Sequence, residues 1–345
     1  MVFQQKLAQR VRITNLLAIF MIKWLQGDAK MATLYERALG SLLGSFVGDA
    51  FGAQTEFKRE KDILKQFPSG ILEMDACKRS VGSFGEITDD SEMAIMMLQS
   101  ILSHGSYSQS LVRKAYQRWR NAGPEDIGIT ICGALDGRMN PNSQANGALM
   151  RITPLGILGC KLSIPQLMQL SDLDCSITHT NPVSRDCNRL FAIALSLAIC
   201  KGWSAGEVYS YLLECAPSYV TETEVLAALK KAKDAPPDGI DGSLKGWVLI
   251  AFQLAFYTVL HAESFEQGMV EVTMRAGDAD TNAAIYGALA GAFASAEGIP
   301  LRWRKALTLT DCIKRLFVSD EQSLASLAEI WTKALLELNT QSQFN

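Results

Sequence analysis

Two short acidic segments carry the residue types with the clearest potential for chemistry. They read Thr88-Asp89-Asp90-Ser91 and Gly277-Asp278-Ala279-Asp280-Thr281, and each stands just before a stretch with helical apolar spacing. Ser, Thr and Asp at such positions can cap a helix by accepting hydrogen bonds from free backbone N–H groups, and negative charge suits the helix dipole. Additional carboxylates repel each other unless a proton or a cation compensates. Capping explains either segment alone, whereas the two segments brought together predict a multi-oxygen cation site.

The ligand atoms available in these segments indicate which ion they suit. The candidates are carboxylate and hydroxyl oxygens, and no Cys or His lies near them in the sequence. Hard oxygen ligands favour Mg²⁺, Mn²⁺ or Ca²⁺ over Zn²⁺ or Cu²⁺, and the four carboxylates could hold two ions. Glu56 is a candidate fifth carboxylate, although taken alone it is as readily an ordinary surface glutamate.

The elements that must position these residues are predicted to be helices. Apolar residues recur at helical spacing over most of the chain after Met31, and no comparably long run has the period of a strand. The predicted helices cover Leu34–Ala53, Glu92–Leu102, Ser110–Asn121, Arg185–Cys200, Ala205–Cys215, Glu222–Lys233, Phe265–Arg275, Thr281–Ala296 and Ser323–Leu338. The apolar segment Trp247–Leu260 is too short to cross a bilayer and is predicted to be a buried helix. The sequence therefore predicts an all-α fold.

Small residues form a ridge on the first predicted helix. It consists of Gly40, Gly44, Gly48 and Gly52. Residues four apart share one helix face, and each glycine costs about 1 kcal/mol relative to alanine, so the ridge indicates either close helix packing or a ligand against the backbone. A matching ridge consists of Ala283, Gly287, Gly291 and Ser295. The two ridges predict direct packing between helices from distant parts of the sequence.

Residues 1–30 are interpreted as an N-terminal extension, helical or poorly ordered, ahead of one domain at residues 31–340. Basic residues followed by a short apolar stretch superficially resemble a secretory signal, but the stretch ends at Lys23 and lacks a small-residue cleavage site. An upstream start site is the other interpretation. The Pro-Pro-Asp-Gly turn at 236–239 could link two domains, yet composition does not change across it. We therefore prefer a single domain.

Composition excludes some classes of function. The chain has 33 Lys and Arg against 36 Asp and Glu, for a net charge of −3, and so lacks the basic excess that neutralises nucleic-acid phosphates. Hydrophobic residues at 48% and charged residues at 20% are typical of a globular protein. The eight cysteines are scattered and include no Cys-x-x-Cys pair. We interpret them as reduced core residues of a cytoplasmic protein.

Ordered segments of the chain together resemble the ADP-ribosylglycohydrolase family, which includes enzymes that reactivate ADP-ribosylated dinitrogenase reductase. The matching segments, within residues 33–310, are Gly44-Ser45-Phe46-Val47-Gly48-Asp49-Ala50-Phe51-Gly52 continuing to Glu56, Ile87-Thr88-Asp89-Asp90-Ser91, Asp126-Ile127-Gly128, Asn146-Gly147-Ala148-Leu149-Met150-Arg151, Thr178-His179, and Gly277-Asp278-Ala279-Asp280-Thr281-Asn282. The resemblance implies an all-α, single-domain orthogonal helical bundle that holds two Mg²⁺ or Mn²⁺ ions. It also implies hydrolysis of the N- or O-glycosidic bond between ADP-ribose and a protein side chain.

The same resemblance implies roles for individual residues. The implied metal ligands are Thr88, Asp89, Asp90, Asp278, Asp280 and Thr281. The implied contacts to the phosphates and distal ribose of ADP-ribose are Asn142, Ser143, Gln144, Asn146 and Gly147, with further ligand contacts at Gly128 and His179. Without the resemblance, a plain Asn/Gly turn and a structural histidine explain these residues equally well. The implied catalytic residues are Glu56, Asp89 and Asp90, with Glu56 orienting or deprotonating water or moving aside for the ligand.

Two classes of function remain open at this point. The favoured one is a metal-dependent hydrolase that removes ADP-ribose from arginine or serine side chains, or from a related conjugate, through an oxocarbenium-like transition state. The alternative is a catalytically inactive, crystallin-like or ADP-ribose-binding member of the family. The complete acidic set favours the enzyme. We expect an ADP-ribosylated protein as partner, no nucleic acid, no membrane association and a monomer.

Overall fold

Helices account for the regular structure, as the apolar spacing predicts. The computed structural model describes residues 32–80, 82–317 and 322–338, so the predicted extension at 1–30 lies outside the described residues. The described helices are α1 (Leu34–Gly52), α2 (Glu60–Gln66), α3 (Asp89–His104), α4 (Gln109–Asn121), α5 (Ile129–Leu135), α6 (Thr153–Leu158), α7 (Ile164–Cys175), α8 (Pro182–Lys201), α9 (Ala205–Tyr219), α10 (Thr223–Lys231), α11 (Val248–His261), α12 (Phe265–Met274), α13 (Ala279–Ala294), α14 (Leu301–Ala306), α15 (Asp311–Phe317) and α16 (Leu324–Glu337). Within these ranges β-type pairing is limited to isolated bridges, which confirms the all-α prediction. No helix in the described ranges is both long and apolar enough to span a membrane.

The two ridges of small residues form the central contact of the fold, between α1 and α13. A Cβ atom added to Gly44 would lie 2.1 Å from the carbonyl oxygen of Gly287, and one added to Gly48 would lie 2.0 Å from that of Ala283. The predicted packing of the two ridges is therefore confirmed. At one end of this contact a Cβ on Gly52 would lie 2.2 Å from the Ala279 oxygen. The close approach thus holds the end of α1 beside the acidic start of α13.

Replacing Gly44 with alanine is expected to destabilise the protein by about 3 kcal/mol, because the new methyl group would overlap the backbone of α13 and force the helices apart. Gly206 in α9 provides a matched control, since nothing lies within 4 Å of a Cβ added there. We expect Gly206→Ala to change stability little. Urea unfolding of both variants checks this prediction, and similar midpoints for the two would contradict the proposed packing constraint.

The structure corrects the prediction that all the cysteines are reduced. Cys160 and Cys200 form a disulfide, with their Cα atoms 5.3 Å apart. Cys160 lies in the 3₁₀ turn Gly159–Lys161, and Cys200 lies in the last turn of α8. The prediction that all eight cysteines are reduced is wrong for this pair. The two residues are 40 positions apart, and a separation of this length gives no sign in the sequence that they are close in space. The described structure leaves the other six as free thiols.

Candidate functional site

The two acidic segments meet at one end of the α1–α13 contact. The hydroxyl of Thr281 donates a hydrogen bond to Oδ2 of Asp90 at 3.3 Å, although the two residues are 191 positions apart. Glu56, Asp278 and Asp280 each place a carboxylate oxygen within 4.8 Å of the others. The predicted convergence of the two segments is therefore confirmed.

Backbone pairing between two loops fixes Glu56 against the start of α13. The amide of Phe57 donates to the carbonyl oxygen of Gly277 at 2.7 Å, and the amide of Gly277 donates to that of Lys58 at 3.2 Å. Phe57 has a φ of 60°, a left-handed conformation that is uncommon for a bulky residue and persists where the surrounding structure enforces it. The loop after α1 is therefore held in one conformation beside Asp278.

Asp49 of α1 organises the start of α3. Its buried carboxylate accepts hydrogen bonds from the Thr88 amide at 2.9 Å, the Thr88 hydroxyl at 2.8 Å and the Ser91 amide at 3.1 Å. These bonds satisfy free N–H groups at the helix start, which is the need that a local cap normally meets. Because Asp49 already accepts these hydrogen bonds, helix capping does not explain the presence of the Asp89 and Asp90 carboxylates. Asp49 was given no role from the sequence, although it is the one carboxylate in the buried, glycine-ridged part of α1, after Glu36 in the first turn.

Burial and mutual repulsion raise the pKa values of the clustered carboxyls. Burial, followed by Asp126 and Asp278, raises the pKa of Glu56 to about 8. Burial and neighbouring carboxylates also hold the pKa values of Asp89, Asp90 and Asp280 well above the ordinary range. Oδ1 of Asp90 is buried without a hydrogen-bond partner among the described residues. Together the unpartnered oxygen and the repulsion fit a site for hard divalent cations, which supply the missing positive charge.

The acidic residues line a cavity of about 460 Å³. Its carboxylates are Glu56, Asp89, Asp90, Asp126, Asp278 and Asp280. Five other residues implied by the family resemblance also line it, namely Gly128, Asn146, Gly147, His179 and Thr281. The amide of Gly128 donates to Asp89 at 3.3 Å, and the side-chain amide of Asn146 donates to Asp278 at 2.6 Å. The ligand-binding and metal-binding candidates therefore contact each other directly.

Four implied site residues do not line this cavity. They are Thr88, Asn142, Ser143 and Gln144. The hydroxyl of Thr88 is directed to Asp49, and that of Ser143 lies 2.8 Å from the Thr130 hydroxyl. Asn142 and Gln144 line a neighbouring cavity of about 500 Å³, which shares Ala145 and Gly246 with the acidic one.

His179 borders the acidic cavity as a buried, neutral side chain. Burial and the charge of Arg151 lower its pKa to about 3. Its Nδ1 lies 2.8 Å from the Thr178 hydroxyl, whereas Nε2 has no partner in the described part of the chain. Arg151 is itself buried, pairs with Asp174 at 3.0 Å and donates to the Gly147 oxygen at 3.1 Å. Arg151 thus holds the backbone at Gly147, which lies next to the His179 ring.

Three cavity residues were not singled out by the sequence analysis. Asp126 was noted only as part of a motif, yet its charge raises the pKa of both Glu56 and Asp89, after burial. Phe57 directly follows Glu56, lines the cavity and is 57% exposed as a residue. Lys245 belongs to the loop between α10 and α11, and its Nζ lies 5.4 Å from the centroid of the Phe57 ring.

Comparison with known proteins matches the chain to one family over most of its length. The ADP-ribosylglycohydrolase family model matches residues 30–336. The chain is 27% identical to the ADP-ribosylarginine hydrolase Tri1 of Pseudomonas putida, over 85% of this chain and 81% of that protein. It is 26% identical to the ADP-ribosyl-dinitrogen reductase glycohydrolase of Rhodospirillum rubrum, over 80% and 92% of the two chains. A solved structure described as an ADP-ribosylglycohydrolase-related protein complex covers 88% of this chain and 98% of its own, with 24% identity and a TM-score of 0.74, which supports the same fold.

Proposed function

The chain belongs to the ADP-ribosylglycohydrolase family, a family of glycosidic-bond hydrolases, and on this basis we propose that it is a metal-dependent enzyme that removes ADP-ribose from a modified protein side chain or a related conjugate. The observation that carries the proposal is the contact between Thr281 and Asp90. This contact joins the two acidic helix starts beside a cavity large enough for a small-molecule ligand.

We assign the residues of the cluster to two Mg²⁺ or Mn²⁺ ions. The proposed ligands are Thr88, Asp89, Asp90, Asp278, Asp280 and Thr281. Thr88 stays among them because its hydroxyl donates its proton to Asp49 and keeps lone pairs on its oxygen. When bound, such ions neutralise the clustered charge and polarise substrate oxygens.

The remaining cavity residues supply binding and proton transfer. Asn146, Gly147, Gly128 and neutral His179 contact ADP-ribose, with backbone N–H groups suited to phosphate oxygens. Glu56 has a carboxylate oxygen within 4.8 Å of those of Asp278 and Asp280 and, when ionised, accepts the proton of the attacking water. The surrounding carboxylates stabilise positive charge that develops on the ribose in an oxocarbenium-like transition state.

Incubation with mono-ADP-ribosylated peptides tests this proposal. One peptide carries ADP-ribosylarginine and the other ADP-ribosylserine, each with Mg²⁺, with Mn²⁺ or with excess chelator. We expect release of free ADP-ribose from at least one peptide with metal, and loss of release with chelator. Tight ADP-ribose binding without release from either peptide would instead support the non-catalytic alternative.

A further inference from the structure

A lysine lies among the carboxylates of the cavity. Lys245 is partly exposed and lines the cavity together with Glu56 and Asp278. Its Nζ faces the Phe57 ring at 5.4 Å from the centroid, within the range of a cation–π interaction. The lysine charge therefore lies in the wall of the proposed reaction site.

The position of the acceptor side chain is inferred from the cavity residues around Glu56. Catalysis places the scissile glycosidic carbon near Glu56, and the residue directly after Glu56 is the exposed Phe57. Asn146 and Gly147, which we assign to ADP-ribose, are buried. Phe57 and Ile129 are the exposed large apolar residues of the cavity. Because Phe57 directly follows Glu56, we take the path of the acceptor to run along Phe57, beside Lys245.

This arrangement does not favour a guanidinium acceptor. An exposed aromatic ring beside a catalytic carboxylate would be a good stacking surface for a guanidinium. In this chain the Phe57 ring already interacts with the Lys245 ammonium. A second cation beside it would be repelled, whereas a neutral hydroxyl oxygen would not.

We propose that Lys245, placed against Phe57, is a specificity-determining residue that selects against arginine-linked ADP-ribose and in favour of ADP-ribose linked to a neutral hydroxyl, as on serine. The inference rests on the proposed function. Hydrolysis then breaks the bond between C1″ of the ribose and the acceptor oxygen. Water supplies a hydroxyl group to C1″ and a proton to the leaving oxygen, so no further reactant is needed.

The test compares kcat/KM for two peptides that differ only in carrying ADP-ribosylserine or ADP-ribosylarginine. Lys245→Met keeps the length and apolar stem of the side chain without its charge, and Lys245→Arg keeps the charge. We expect the wild type to prefer the serine-linked peptide. Lys245→Met should raise the arginine-to-serine ratio of kcat/KM about fivefold, the size expected for one partly screened charge, and Lys245→Arg should retain the wild-type ratio.

Lys333→Met, at an exposed position on α16, is the matched control and should leave the ratio unchanged. Wild-type preference for the arginine-linked peptide, or a ratio that Lys245→Met does not move, overturns the inference and leaves the proposed function standing. Failure to hydrolyse either peptide overturns the proposed function, and the inference with it.

Discussion

Replacing Asp280 with asparagine is expected to lower kcat/KM for ADP-ribose release by at least about a thousandfold, equivalent to about 4 kcal/mol of transition-state stabilisation. Asp280 is buried and contributes an oxygen to the compact group formed with Glu56 and Asp278. Asparagine preserves its shape but removes the charge that attracts a divalent ion. Steady-state assays at saturating Mg²⁺ or Mn²⁺ check the prediction.

The matched control for this variant is Asp311→Asn, because the side chain of Asp311 is 78% exposed on α15. It should retain wild-type activity. Unfolding measurements without metal add an independent readout, since Asp280→Asn removes one of several repelling carboxylates and should make the metal-free protein more stable. Activity within tenfold of wild type would contradict the assigned role of Asp280.

The metal-free protein is expected to lose stability as pH rises from about 4 to about 8, by on the order of 3 kcal/mol. The pKa of Glu56 is raised to about 8 and that of Asp278 to about 6, first of all by burial, whereas carboxyls of an unfolded chain ionise near pH 4. The folded state therefore keeps protons that the unfolded chain has already released. This difference favours folding at low pH and is lost as pH rises through the folded-state pKa values.

Mg²⁺ or Mn²⁺ should reverse this loss, because binding to the folded state alone adds about 4 kcal/mol at a thousandfold excess over Kd. Calorimetric melting between pH 5 and pH 8, with chelator or with metal, checks both effects. In the wild type we expect the metal-induced rise in Tm to grow with pH. At each pH the rise should be smaller in Asp280→Asn than in the wild type. A metal-free Tm that stays level or increases over this range would count against the acidic cluster as described.

The central architecture was predictable because it depends on residue spacing. The ridges containing Gly44 and Gly287 predicted that α1 packs against α13, and this packing brings the acidic segments together. The predicted starts of α3 and α13 were late, at Glu92 and Thr281, because the acidic residues themselves form the first helical turns. Apolar periodicity cannot show that polar residues belong to a helix.

The features that the sequence did not reveal depend on contacts between distant segments. Asp49 supplies hydrogen bonds to the start of α3 from another helix, which no local capping pattern indicates. Lys245 reaches Phe57 from a loop whose position is set by tertiary pairing. The disulfide between Cys160 and Cys200 likewise depends on how the 3₁₀ turn lies against α8.

Anomalous diffraction from crystals soaked in Mn²⁺ and ADP-ribose tests the central claim most directly. We predict manganese peaks bounded by Asp89 and Asp90 on one side and by Asp278 and Asp280 on the other, with the distal ribose beside Glu56. Manganese bound elsewhere, or ADP-ribose bound with no metal between the two acidic helix starts, would contradict the account.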